Sequence, residues 1–207
     1  MELNPSTTAV LTIHCQGDIV GPEGAFAPLF HEQVLARGVI DKIRDLHQAA
    51  RQAGSLVVYT RVAWAQDYSD LQANSPLLQG VVQAGCLKEG SPQAAIVEPL
   101  APQEGDAVIT HQRVGGWTPE LITVLEERGI DTLLFCGVAT NVSVESTARA
   151  ASDAGYRVVV VEDACSAATA QAHQSTVESL GMLGEITAVA EVRQALSSTD
   201  RLAETGR

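Results

Sequence analysis

Lysine is nearly absent from this sequence: the 207 residues contain two, Lys42 and Lys88. Lysine and arginine together number 13 against 25 acidic residues, for a formal net charge of −12. A surface so acidic repels phosphates, which argues against nucleic acid or an anionic membrane as the partner. Aromatic residues make up 4% of the chain. No apolar run approaches the roughly 18–20 residues that span a bilayer. The opening stretch "MELNPSTTAVLTIH" lacks the basic region of a secretory signal, so a cytoplasmic setting is expected. The cysteines Cys15, Cys86, Cys136 and Cys165 show neither CxxC nor metal-knuckle spacing, so neither a zinc knuckle nor a disulfide framework is indicated. Cys15 and Cys136 fall in or beside apolar runs, as buried reduced thiols do.

What the chain does have is an ordinary globular composition, 45% hydrophobic and 18% charged, at a length that suits one domain over residues 1–207. Short β-branched runs alternate with longer helical patterns. Strands are predicted at Thr8–His14, Ser55–Thr60, Ala107–Thr110, Thr132–Cys136, Arg157–Val161 and Ile186–Val189. Helices are predicted at His31–Ala53, Thr118–Arg128, Asn141–Ala154, Thr169–Leu183 and Glu191–Leu196. The strands are apolar throughout rather than alternating, which implies burial on both faces. Gly54, Gly129 and Gly155 each close a helix just before a strand. The expected fold is therefore α/β, a three-layer doubly wound (Rossmann-like) sandwich of about six parallel strands. Residues 61–102 break the rhythm and read as an irregular excursion, a lid or interface loop.

In such folds ligands bind beyond the carboxyl ends of the strands, where strand order reverses. The first predicted strand ends in His14, the third leads into His111, and the fourth turns into Ser143 in the first turn of a helix, with Asn141 as the expected N-cap. Each of these residues alone has an ordinary structural explanation. Two histidines and a serine on one rim form a Ser–His arrangement that can activate a hydroxyl.

The stretch "GIDTLLFCGVATNVSVESTARAASDAGYRVVVVEDACSA", with "GVATNV", "ESTAR" and "GYRVVVVEDA", closely resembles the core of the isochorismatase-like (cysteine hydrolase) family. "GDAVITHQRVGGW" and "AVLTIHCQGDIV" resemble its lysine-bearing and N-terminal strand motifs, with Gln16 and Asp18 in place. The resemblance implies an isochorismatase-like fold and an Asp–Lys–Cys triad. Here His14 stands in the aspartate position, His111 in the lysine position and Ser143 in the cysteine position. It also implies a cis bond at Val138–Ala139 and an oxyanion hole built from the N–H groups of Ala139 and Ser143 within the segment Val138, Ala139 and Thr140. The second strand is followed by "TRVAWAQDYSD", which lacks the histidine of zinc-dependent relatives, so no metal and no other cofactor are expected.

Three readings stay open. In the first, Ser143 attacks the carbonyl of a small amide, imide or ester, with a histidine as base. In the second, a nucleophile-free vinyl ether hydrolase uses His14 as acid, with Arg61 and Arg113 holding carboxylates. In the third, the protein is an inactive binding or assembly protein. Trp117 either walls the substrate pocket or packs under the excursion, and Gly115 and Gly116 suggest a roomy rim there. Asp18 is expected to cap the helix after the first strand, and Glu145 to pair with Arg149. The partners expected are a small-molecule substrate and a second copy of the chain, in a homodimer or larger assembly.

Overall fold

Inner strands that are apolar on both faces need partners on both sides and helices above and below, and the chain supplies them in alternation. In the computed structural model, which describes residues 1–205 with side chains through Ser197, the order is β1 (Thr8–Ile13), α1 (Gly17–Val20), α2 (Ala27–Arg37), α3 (Val39–Gln52), β2 (Leu56–Val62), α4 (Pro76–Ala84), β3 (Ala107–His111), α5 (Pro119–Glu127), β4 (Thr132–Val138), α6 (Glu145–Asp153), β5 (Arg157–Ser166), α7 (Ala170–Leu180), β6 (Glu185–Thr187) and α8 (Val189–Thr205). The last two residues of the expected 1–207 domain lie outside the described residues.

The sheet runs in the order β3-β2-β1-β4-β5-β6, and every pairing is parallel. The central strands β1 and β4 are buried along their whole lengths, as their unbroken apolar character requires. Strand order reverses between β1 and β4, so the crossovers run outward from them in opposite directions. Right-handed connections then place α3 and α6 on opposite faces of the sheet. Among the described residues no helix is long and apolar enough to cross a membrane.

The continuous pattern over His31–Ala53 is divided at Gly38, whose φ of 63° closes α2 and starts α3 in a new direction. Periodicity ran through this point because the apolar face of α3 (Val39, Ile43, Leu46, Ala50) continues the spacing of Val34. The excursion carries the nine-residue helix α4, with Ser75 as its N-cap accepting from the Leu78 N–H.

The excursion is tied to the sheet by the two polar residues that follow β1. The Gln16 amide donates to the carbonyls of Val62 (2.8 Å) and Ala94 (2.7 Å), and its oxygen accepts from the Val62 N–H at 2.7 Å. Asp18 does not cap its helix; its carboxylate accepts from the Leu87 N–H at 2.8 Å, deep inside the excursion. Both side chains are buried and replace the hydrogen bonds that this irregular backbone loses to water.

Candidate functional site

At the reversal point the chain leaves β1 and β4 by two unusual turns. His14 follows β1 directly with φ 51°, a conformation uncommon for a residue with a β-carbon. Its N–H still donates to the Thr60 carbonyl at 3.0 Å, so the left-handed turn starts while the residue is anchored to β2. On the other side, Gly137 has φ 114°, and a β-carbon there would lie 2.2 Å from the Ile13 carbonyl oxygen. Only glycine lets β4 pass so close to the end of β1. The Val138–Ala139 peptide bond that follows is cis, as the family resemblance implied.

From Ala139 the chain enters a widened helical turn, Thr140–Val144, before α6. The Ala139 carbonyl accepts from both Val142 N–H and Val144 N–H at 3.1 Å. Asn141 is exposed and does not cap it; the residue before the turn is Ala139. The Ser143 carbonyl accepts from the Thr147 hydroxyl at 2.6 Å, which holds the serine at the head of α6. Widened turns of this kind recur at functional sites.

His14, Ser143, Val138 and Ala139 line one cavity of about 70 Å³, the liquid volume of about two waters. Its other walls are apolar: Ile19 from α1, Phe26 and Phe30 from α2, Leu77, Leu78 and Val81 from α4, and Trp64 and Leu87 from the excursion. Arg113 stands at its edge as the one charged side chain. The excursion is thus a wall of the cavity.

His111 lies behind His14 and does not line the cavity. The two Nε2 atoms are 2.9 Å apart, and the rings tilt at 34° to each other. Burial, with the neighbouring His111 adding to it, holds His14 well below the usual 6.5. Burial pushes His111 down to about 4. Both rings are therefore neutral at pH 7, and one must donate to the other. The Arg113 N–H points at His111 Nδ1 at 3.4 Å, which makes that nitrogen the acceptor. His111 then carries its proton on Nε2 and donates it to His14, whose own proton sits on Nδ1. No hydrogen bond joins Ser143 to either ring among the described residues.

Of the other predicted site residues, Thr140 turns away from the cavity. Its hydroxyl meets His173 Nδ1 at 2.8 Å, while His173 Nε2 faces the Glu162 carboxylate at 3.2 Å and Arg37 at 2.9 Å. Arg61 does not face the cavity: it is ion-paired with Glu89 at 2.5 Å and donates to the Thr110 hydroxyl at 2.9 Å. Trp117 packs edge-on against Tyr156, 5.3 Å between centroids, and is not a wall of the cavity either. Gly115 and Gly116 are closely packed rather than roomy; a β-carbon on Gly116 would meet the Thr60 side chain at 3.0 Å, and one on Gly115 the Ser146 hydroxyl at 2.8 Å. Glu145 and Arg149 pair at 2.7 Å as expected.

The buried thiols take no part in the cavity. Burial raises Cys136 to about 12 and Cys15 well above its usual range, so both stay protonated at neutral pH. Among the described residues no group of three or more His, Cys, Asp or Glu side chains is placed to hold a metal ion. Sequence reasoning missed Trp64, Phe26, Phe30 and His173. In a chain so poor in aromatics, the large side chains of Trp64, Phe26 and Phe30 were the available signal.

Known proteins resemble this one over most of its length. The isochorismatase family protein YecD of Escherichia coli O157:H7 is 32% identical over 200 residues, 95% of this chain and 100% of that one. The ureidoacrylate amidohydrolase RutB of Agrobacterium fabrum is 35% identical over 180 residues, 78% of this chain and 77% of that one. The crystal structure of a cysteine hydrolase from Pseudomonas syringae pv. phaseolicola superposes with a TM-score of 0.87 at 29% identity, covering 96% of both chains. The isochorismatase domain model matches residues 8–191, and the chain belongs to the isochorismatase-like hydrolase family.

Proposed function

We propose that this protein hydrolyses a small amide, imide or ester through Ser143, with His14 as general base and His111 as its hydrogen-bond partner in the resting site. The observation that carries the reading is that His14 and Ser143, from opposite sides of the strand-order reversal, line the same small cavity. His14 takes the base role because it reaches the cavity, and His111 does not. The relative RutB acts on an amide, which favours amide chemistry here.

In the proposed reaction the Ser143 Oγ–H bond breaks as His14 takes the proton, and Oγ bonds to the substrate carbonyl carbon. The carbonyl oxygen takes up the displaced electron pair and is met by the N–H groups of Ala139 and Ser143. Collapse expels the amine or alcohol, which receives the proton from His14. Water, deprotonated by the same ring, then attacks the acyl carbon, and as the C–Oγ bond breaks Oγ takes that proton back from His14 and the acid leaves. To accept the serine proton His14 must turn its unprotonated nitrogen from His111 toward Ser143, a hydrogen bond that substrate binding completes.

The nucleophile-free reading has less support, because Arg61, one of its two carboxylate clamps, is committed to Glu89. An inactive binding protein would be favoured by side chains filling the site, and the cavity is open space. The test is hydrolysis of a panel of small activated esters and anilides. Replacing Ser143→Ala should lower the rate by at least about a thousandfold. A near-normal rate in that variant contradicts the covalent route.

A further inference from the structure

Arg37, the last residue of α2, reaches across to β5. Its Nε donates to the Cys165 carbonyl at 2.9 Å, and its Nη2 donates to the Glu162 carbonyl at 3.0 Å and the Glu162 carboxylate at 2.8 Å. The β4–β5 register jumps at this point, from Phe135 opposite Val160 to Gly137 opposite Cys165. Four residues of β5, Val161 to Ala164, therefore stand against Cys136 alone. Arg37 supplies partners to carbonyls of this irregular stretch and fixes its shape.

Two routes lead from this clasp to the turn of Ser143. Cys165 and Ser166 pair in register with Gly137 and Val138, the residues by which the chain enters that turn. Arg37 Nη2 also lies 2.9 Å from His173 Nε2, and His173 Nδ1 meets the hydroxyl of Thr140, inside the turn, at 2.8 Å. In the other direction Arg37 belongs to a wall of the cavity. Phe30 and Val34 precede it by seven and three residues on one face of α2, and Phe26 and Phe30 line the cavity. A helix is stiff over two turns, so a displacement of these rings is carried to Arg37.

We infer that Arg37 is a positioning residue that couples the apolar α2 wall to the turn of Ser143. Contact of Phe26 and Phe30 with the non-reacting part of the substrate is thereby expressed in the rate of the chemical step. Only interactions that strengthen in the transition state raise kcat, and an uncoupled wall would lower KM alone. The clasp moves the wall contact from the second kind to the first. This rests on the reading of the cavity as the substrate site and of Ser143 as the nucleophile.

The test compares hydrolysis of p-nitrophenyl acetate, propionate and butyrate by the wild type, Arg37→Gln and Arg37→Lys. In the wild type kcat should rise with each added methylene by up to about fourfold, the worth of one buried CH2 group. In Arg37→Gln kcat should be the same for the three esters and at least about tenfold below the wild type on butyrate, while KM still falls along the series. Arg37→Lys keeps the charge without the fork of donors and should regain part of the slope. A merely structural role would lower all three rates alike and keep the slope, and thermal unfolding is followed on the same samples. If Arg37→Gln fails to fold, Glu162→Gln carries the comparison, because it leaves both backbone carbonyls available to Arg37; its slope should be shallower than that of the wild type. A wild-type kcat that does not change with chain length, or a slope that persists in the variant, overturns the inference and leaves the proposed hydrolysis standing. Turnover of none of the esters by the wild type contradicts the proposed hydrolysis and the inference with it.

Discussion

His14 and His111, 97 residues apart in sequence, are joined through their Nε2 atoms at 2.9 Å across the end of β2. Both are buried and both are neutral at pH 7, so the pair is a neutral donor and acceptor rather than a pair of charges. A neutral donor and acceptor need no counter-ion when buried.

The pair predicts the pH dependence of the reaction. A free histidine base would lose activity as pH falls through 6.5. Here burial delays protonation of His111 to about pH 4 and of His14 likewise to well below its usual value. The profile of kcat/KM for an activated ester should stay flat from pH 8 down to about 5.5. An acid limb centred at 6.5 would show that the base is a solvated histidine elsewhere.

Another buried histidine predicts acid sensitivity of the fold. His47 of α3 meets the Thr12 hydroxyl at 2.6 Å and the Tyr59 hydroxyl at 3.1 Å, and burial pushes its pKa down to about 3. The unfolded chain takes up this proton near pH 6.5, whereas the folded chain does so only near 3. Stability from His47 is therefore fully present above 6.5 and is lost as pH falls toward 3. Between pH 7 and pH 5 the loss is about 2 kcal/mol from this ring alone. Urea unfolding at the two pH values measures it, and the difference should shrink in His47→Gln.

The contact between Thr140 and His173 predicts a mutation that changes rate more than binding. The 2.8 Å bond ties the turn that carries Ala139 and Ser143 to a histidine held by Glu162 and Arg37. Thr140→Val keeps the shape and removes the hydroxyl, leaving a buried ring nitrogen unpaired at a cost of about 1–3 kcal/mol. Catalysis is more sensitive than stability to small displacements. We expect kcat to fall about tenfold or more with KM nearly unchanged, and His173→Phe to behave alike. A rise in KM with kcat intact would place Thr140 in substrate binding instead.

The sheet was legible because β1, β4 and β5 carry apolar side chains on both faces, a pattern that local sequence displays directly. The rim residues His14, His111 and Ser143 followed from where those strands end. The walls of the cavity were not legible, because they arise from contacts between distant segments. Gln16 and Asp18 look like local helix-start residues, yet each reaches into the excursion, and this carries Trp64 and Leu87 to the cavity. Arg61 and Trp117 sit where strand ends and motifs suggested a pocket, but Glu89 and Tyr156, neither adjacent in sequence, claim them first. Asn141 failed as a cap because the widened turn starts at Thr140 and leaves its side chain exposed.

The proposed hydrolysis requires Ser143 to be an activated nucleophile. The most direct measurement is the intact mass of the protein after exposure to a small fluorophosphonate, with Ser143→Ala and His14→Ala alongside. An activated Ser143 gives one covalent adduct on the wild type, none on Ser143→Ala, and much slower labelling of His14→Ala. An unmodified wild type, or labelling that persists in Ser143→Ala, would contradict it.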